Sequence, residues 1–336
     1  MSRSPVLANA WRLLRIYYHY RRLSTDLPYS PIFAGIETTG LCNLRCKMCP
    51  HGQERYAERK RGHMQFEVFK RTVDQMKGFV YDADLFGGGE PLLNPHIYEM
   101  IAYAKAAGIK TRLHTNATVL DSESARSILR SGLDFISFSF EGYSKTMYES
   151  TRVNASYEET YRNILQFLKM KRELGSERPY TVLQVIRVNE DSEKIRSGLR
   201  SLHQQFAEHP ALNEFSVIPL HNYGGKVGRP NHVDASYTPC TFLWYATYFL
   251  WDGTIVPCCV DWWGDYPLGN IKDSTILEAW NGAKMQELRC LIASRRYKEV
   301  PLCADCDRLW RARSLGVPIR SLKAMWKWLS QHLFGY

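Results

Sequence analysis

The sequence predicts an α/β protein: a partial (β/α)6 barrel followed by a small domain made of a β-hairpin and a helix. Three observations carry this. Short runs rich in β-branched and aromatic residues alternate with longer helix-period segments from Phe33 to Asn222, the order of parallel strands joined by crossover helices. The stretch Pro50 to Pro239 has no cysteine, while all nine cysteines lie in two groups at its ends. The polar and glycine-rich motifs follow successive strands, where parallel sheets place their sites.

The six strands are expected at Phe33 to Thr38, Ala83 to Phe86, Lys110 to Thr115, Phe135 to Phe140, Thr181 to Val188 and Glu214 to Leu220. The intervening helices are expected at Gln65 to Lys77, Pro95 to Ala107, Ser122 to Ser131, Tyr157 to Leu174 and Asp191 to Glu208. After Asn222 the stretch Tyr223-Gly224-Gly225-Lys226-Val227-Gly228 reads as a flexible junction. Beyond it, Ala246 to Trp251 and Thr254 to Cys258 flank Asp252-Gly253, a hairpin signal, and Ser274 to Leu291 reads as one helix capped by Ser274 or Asp273. The organisation is thus an N-terminal basic amphipathic helix (1–32), the barrel (33–222), the small domain (223–310) and an amphipathic tail (311–336).

Composition narrows the class. With 45% hydrophobic and 23% charged residues in 336, the chain has the balance of a globular protein and excludes a disordered one. No apolar run is long enough to span a membrane, and arginines interrupt the N-terminal segment where a signal peptide would be apolar. An odd number of cysteines without an export signal points to reduced thiols or metal ligands in a cytoplasmic protein. A net charge of +10 favours anionic partners: phosphorylated substrates, nucleic acid or acidic membrane surfaces.

Cys42, Cys46 and Cys49 form a C-x3-C-x2-C triplet after the first strand. With His51 they would make a zinc site; without it they suit a 4Fe-4S cluster that leaves one iron open. Together with Gly88-Gly89-Glu90 after the second strand, the triplet resembles the radical S-adenosylmethionine (SAM) superfamily, from Phe33 to about Asn222. The resemblance implies a partial TIM-like barrel. It also implies that SAM binds the open iron and is cleaved to a 5'-deoxyadenosyl radical, which takes a hydrogen atom from substrate. It places Gly88, Gly89 and Glu90 at the SAM amino group, Thr115 and Asn116 near the nucleoside, and Ser139 and Arg152 at the SAM carboxylate. Met48 stands where relatives usually carry an aromatic residue and Glu141 where they often carry Asp, so the role of Glu141 is open.

Cys240, Cys258, Cys303 and Cys306, with Leu268-Gly269-Asn270-Ile271 and Trp280 between them, resemble the SPASM/twitch extension of that superfamily. The closing C-x2-C alone would equally make half a zinc knuckle. The resemblance implies that these four cysteines hold an auxiliary 4Fe-4S cluster, for two 4Fe-4S clusters in all, with Cys259 able to replace Cys258. Seven of the nine cysteines are then used. Cys290 reads as a small buried apolar side chain. Cys259, next to a ligand position, is a candidate hydrogen-atom donor.

By resemblance, the expected reaction is abstraction of a carbinol hydrogen from a sugar, aminocyclitol or glycan substrate, ending in epimerisation or, second, dehydrogenation by an oxidoreductase. The alternative is a maturase of ribosomally made peptides, for which residues 1–32 are too few to form a leader-binding domain. A flavodoxin- or ferredoxin-type electron donor is implied, and no nucleic acid. Trp11 to Leu23 and Ile319 to Tyr336 both mix basic, aromatic and aliphatic residues. Their packing onto the barrel is favoured over peripheral membrane contact.

Overall fold

The computed structural model describes residues 5–141, 143–187, 193–228, 236–319 and 321–323. Gly142, Val188, the expected helix start at Asp191 and the tail residues Met325, Trp326, Lys327, Leu329 and Leu333 lie outside the described residues. Among those described, helix α1 (Pro5–Arg21) leads into β1 (Phe33–Ile36), α2 (Phe66–Met76), β2 (Asp82–Asp84), α3 (Ile97–Ala106) and β3 (Lys110–Thr115). Then come α4 (Ser122–Ser131), β4 (Phe135–Ser139), α5 (Lys145–Thr151), α6 (Tyr157–Glu173), β5 (Tyr180–Arg187), α7 (Glu193–Ala207) and β6 (Glu214–Pro219).

Strands β1 to β6 pair in parallel and in chain order, as a run of right-handed crossovers requires. The structure is the partial (β/α)6 barrel expected. Helix α2 shows why: Phe69, Val73 and Met76 recur at i, i+4 and i+7, and all are fully buried against the sheet. Each contributes about 1.5–3 kcal/mol of burial. Helix α4 is bounded as the sequence predicts, because the Asp121 carboxylate caps the Ser124 N–H at 2.8 Å and Gly132 turns left-handed at φ 82°.

The hairpin after the junction does not stand apart. Its strands β7 (Ala246–Phe249) and β8 (Thr254–Val256), with β9 (Gly269–Asn270), extend the barrel sheet to nine strands among the described residues. Strand β7 lies parallel to β1, with Gly35 opposite Tyr248. A Cβ at Gly35 would collide with the Tyr248 ring, so glycine there lets the ring lie across the strand. Gly253, at φ 91°, makes the hairpin turn.

Two expectations are corrected. The helix expected over Ser274 to Leu291 is two: α8 (Ile276–Asn281) and α9 (Ala283–Ala293), broken at Gly282, whose ψ of 158° is extended. The cap is Thr275, whose side chain accepts from the Glu278 N–H while the Glu278 carboxylate accepts from the Thr275 N–H. The second correction concerns Cys290, which is exposed: α9 buries Met285, Leu288, Arg289 and Ile292, and Cys290 falls on the other side.

Candidate active site and cluster-binding residues

The C-terminal ends of the strands open into a cavity of about 430 Å³. Cys42, Cys46, Cys49, Gly88, Gly89, Glu90, Thr115, Asn116, Ser139 and Arg152 all line it, so the structure brings the motif residues of four strand ends together. The backbone at Gly88 and Gly89 passes too close to its neighbours for any side chain. A Cβ at Gly88 would meet Glu37 and the Tyr56 hydroxyl, and one at Gly89 would meet the carbonyls of Thr39 and Leu41.

Glu90 is 2% exposed and takes three hydrogen bonds: from Thr115 Oγ1 at 2.8 Å, from the Asn116 N–H at 2.8 Å and from the Leu92 N–H at 3.2 Å. These do not offset the loss of water, and burial pushes its carboxyl up to about 7. A cationic group arriving in the cavity would restore the carboxylate.

The three cysteines are unpaired thiols, and burial pushes Cys42 up to about 12 and raises Cys46 and Cys49. Donors point at their sulfurs: the Leu44 N–H is 3.4 Å from Cys42 Sγ, Asn116 Nδ2 3.9 Å from Cys42 Sγ, and Arg152 Nη1 3.9 Å from Cys46 Sγ. Such donors suit thiolate ligands of a cluster, and metal binding would supply the deprotonation that burial opposes. His51, the candidate fourth zinc ligand, lines the same cavity with its Nε2 held by the Gly88 carbonyl.

Arg152 lines the cavity with Nε and Nη2 on the two oxygens of Glu141, Nη2 at 2.9 Å, while its Nη1 lies by Cys46 Sγ. Glu141 also accepts from the Ile186 N–H at 3.1 Å, which gives it a role the sequence left open. Met48 is buried with Leu44 and Cys46 beneath the triplet.

The second group of cysteines gathers around the hairpin. Burial raises all four of Cys240, Cys258, Cys303 and Cys306, Cys306 to about 12, and the rise at each of the last three is added to by others of the group. In their thiolate forms these four would lie close enough to repel one another, with Cys259 adding to the effect at Cys240 and Cys258, an arrangement that suits ligands of one cluster. Cys258 is 8% exposed. Cys259 beside it also lines the cavity, on a wall that includes Tyr223, Tyr245, Tyr248, Trp262 and Arg308.

Sequence reasoning missed the clamp behind the glycines. Glu37 accepts from Arg59 Nη1 at 2.8 Å and Nη2 at 2.5 Å, from the Gly88 N–H at 2.9 Å and from the Trp251 N–H at 3.1 Å. One buried carboxylate thereby joins β1, the glycine loop, the segment after the triplet and the hairpin. A Glu at the end of an otherwise apolar strand was the available signal. Asp84 and His114, also missed, face the cavity with Nε2 3.9 Å from Oδ1.

Comparison with known proteins agrees with this geometry. The model of the radical SAM superfamily matches residues 36–196, and that of the SPASM iron-sulfur cluster-binding domain matches residues 240–307. The chain is 23% identical over 318 residues to the tungsten-containing aldehyde ferredoxin oxidoreductase cofactor-modifying protein of Pyrococcus furiosus, covering 81% of this chain and 86% of that one. Its fold resembles that of Streptococcus suis SuiB bound to the precursor peptide SuiA, with a TM-score of 0.64 at 15% identity, over 89% of this chain and 73% of SuiB. It also resembles BtrN in complex with AdoMet and 2-DOIA, with a TM-score of 0.54 at 16% identity, over 87% and 96% of the two chains. SAM and 4Fe-4S clusters are therefore its cofactors, and with a radical SAM domain followed by a SPASM domain the chain is a radical SAM enzyme.

Proposed function

We propose that the chain acts on a carbinol C–H of a sugar-like or glycan substrate and epimerises it, with dehydrogenation as the second outcome. The observation that carries the reading is the position of Cys259 on the wall of the same cavity as the cysteine triplet and Glu90. When bound, the cluster and SAM supply a deoxyadenosyl radical that takes the substrate hydrogen. Glu90 holds the SAM amino group by a charge-assisted contact, with Gly88 and Gly89 giving it room. Thr115 and Asn116 lie by the nucleoside, while Ser139 and Arg152 Nη1, through the hydrogen not turned to Cys46, face the carboxylate. Cys259 would give its S–H hydrogen to the substrate carbon, so one S–H bond breaks as one C–H bond forms and the configuration inverts; the thiyl radical left on Cys259 is returned to the thiol by one electron from the flavodoxin- or ferredoxin-type donor and one proton from solvent.

The cavity wall suits a polyol. Asp84, His114, Gln184 and Arg308 offer donors and acceptors beside the rings of Tyr245 and Tyr248. Cys42, Cys46 and Cys49 would hold the SAM-cleaving cluster, and Cys240, Cys258, Cys303 and Cys306 the auxiliary one. The reduced thiols fit a cytoplasmic protein served by a flavodoxin- or ferredoxin-type donor.

The test is turnover of candidate sugars in deuterated water. Deuterium at one product carbon supports epimerisation; an unlabelled ketone supports dehydrogenation. Full epimerase activity in Cys259→Ala would remove the donor assignment. The fold likeness to SuiB, solved with a precursor peptide, favours a second reading as a peptide maturase. Modification of a short peptide encoded beside this chain, with no sugar turned over, would establish it.

A further inference from the structure

The positive charge of the chain is not spread over it. Residues 1–25 and 308–336 carry eleven Lys and Arg and no Asp or Glu, whereas residues 26–307 carry 33 basic and 34 acidic side chains. The whole cationic excess belongs to the two ends, with Arg308 alone of these side chains, among the described residues, lining the cavity.

The described parts of these ends meet in the fold. Tyr17 Oη donates to the Leu315 carbonyl at 3.2 Å, and Arg21 donates to the same carbonyl. Leu315 stands at the tip of the hairpin formed by β10 (Arg313–Ser314) and β11 (Val317–Pro318). One side of α1 packs inward through Tyr17 and Tyr20. Along its outer side Trp11, Leu14 and Tyr18 recur at i, i+3 and i+7 and are 57%, 59% and 54% exposed, and Leu315 on the hairpin is 72% exposed.

Three arginines of α1 and the turn after it bond neutral groups. Arg12 donates to the Gly78 carbonyl and the Tyr81 hydroxyl, Arg15 to the Pro28 carbonyl, and Arg22 lies 5.6 Å over the Tyr18 ring. All of these partners are neutral. Aromatic and aliphatic side chains exposed among arginine heads, with Asp26 the nearest carboxylate in sequence, match an anionic lipid surface.

We propose that this corner, α1 with the Leu315 hairpin, docks the enzyme on an anionic membrane. An apolar protein partner would explain the exposed side chains but not the exclusion of acids from both ends. Nucleic acid would explain the charge but not Leu14 and Leu315. The proposal does not depend on the substrate reading, because it concerns a surface outside the cavity.

The test is co-sedimentation of the cluster-loaded full chain with vesicles of phosphatidylcholine alone or with about one third phosphatidylglycerol. The protein is expected to sediment with the anionic vesicles and not the neutral ones, and to be released by high salt. The Trp11→Asp/Leu14→Asp variant is expected to bind about tenfold more weakly or worse, with its visible cluster absorbance and melting temperature unchanged. Leu315→Asp, at the hairpin tip, provides a second variant should the first misfold, and the same loss is expected. The proposal fails if wild type ignores anionic vesicles, if both folded variants bind like wild type, or if wild type binds neutral vesicles equally well. It also fails if the face proves to mediate dimerisation, or if a nucleic-acid duplex outcompetes the vesicles.

Discussion

Replacing Glu90 with Gln should stabilise the protein in the absence of SAM while weakening its response to SAM. Glu90 is 2% exposed, and burial moves its carboxyl from 4.5 to about 7. Between these values the folded chain holds a proton that the unfolded chain releases, so stability falls as pH rises through this window. The cost is absent below about 4.5, fully present above about 7, and amounts to about 3 kcal/mol. Gln removes the charge but turns an NH2 toward one of the N–H or O–H donors that now serve the carboxylate, at a loss of about 1 kcal/mol. The net expectation is a gain of about 2 kcal/mol at pH 8 that shrinks to nothing near pH 5. Urea unfolding of the anaerobic, cluster-loaded, SAM-free protein at both pH values measures it. Saturating SAM should then stabilise wild type clearly more than Glu90→Gln, because only the carboxylate meets the amino group as an ion pair. A variant that is equally destabilised at both pH values, and equally stabilised by SAM, would refute the reasoning.

Further expectations follow from the surrounding contacts. Arg59→Ala leaves Glu37 charged and buried behind the glycine loop, and should cost about 3–5 kcal/mol in urea unfolding. Gly89→Ala sets a Cβ against two backbone carbonyls, and isothermal titration should find SAM binding lost even where the chain still folds. Thr275→Ala removes the cap of α8 and should lower stability by about 1 kcal/mol, measured by thermal melting. Cys303→Ser should remove the auxiliary cluster while leaving SAM cleavage by the first, read as halved iron and retained deoxyadenosine release.

The order of strands and helices was legible because each βα unit carries its own signals. The hydrophobic period of α2 and the Asp121 cap and Gly132 stop of α4 are local, and local signals survive in the fold. The two cysteine groups and the glycine segment were legible for the same reason. Contacts between distant segments were not. Nothing near Glu37 announces that Arg59, Gly88 and Trp251 converge on it, and nothing near Cys290 says which face of its helix is buried. The break at Gly282 escaped because the apolar pattern continues across it, and α5, only seven residues long, is too short for a periodic signal. The exposed face of α1 is of the same kind: the sequence shows a mixed helix, and only the fold shows which side is left uncovered.

The central claim is that the two cysteine groups hold two separate iron-sulfur clusters. Iron and sulfide content after anaerobic reconstitution, for wild type and for the Cys42→Ala/Cys46→Ala/Cys49→Ala variant, tests it most directly. About eight irons falling to about four are expected. A wild-type value of about four that falls to none would remove the auxiliary cluster, and zinc in place of iron would rule out iron-sulfur clusters at both cysteine groups.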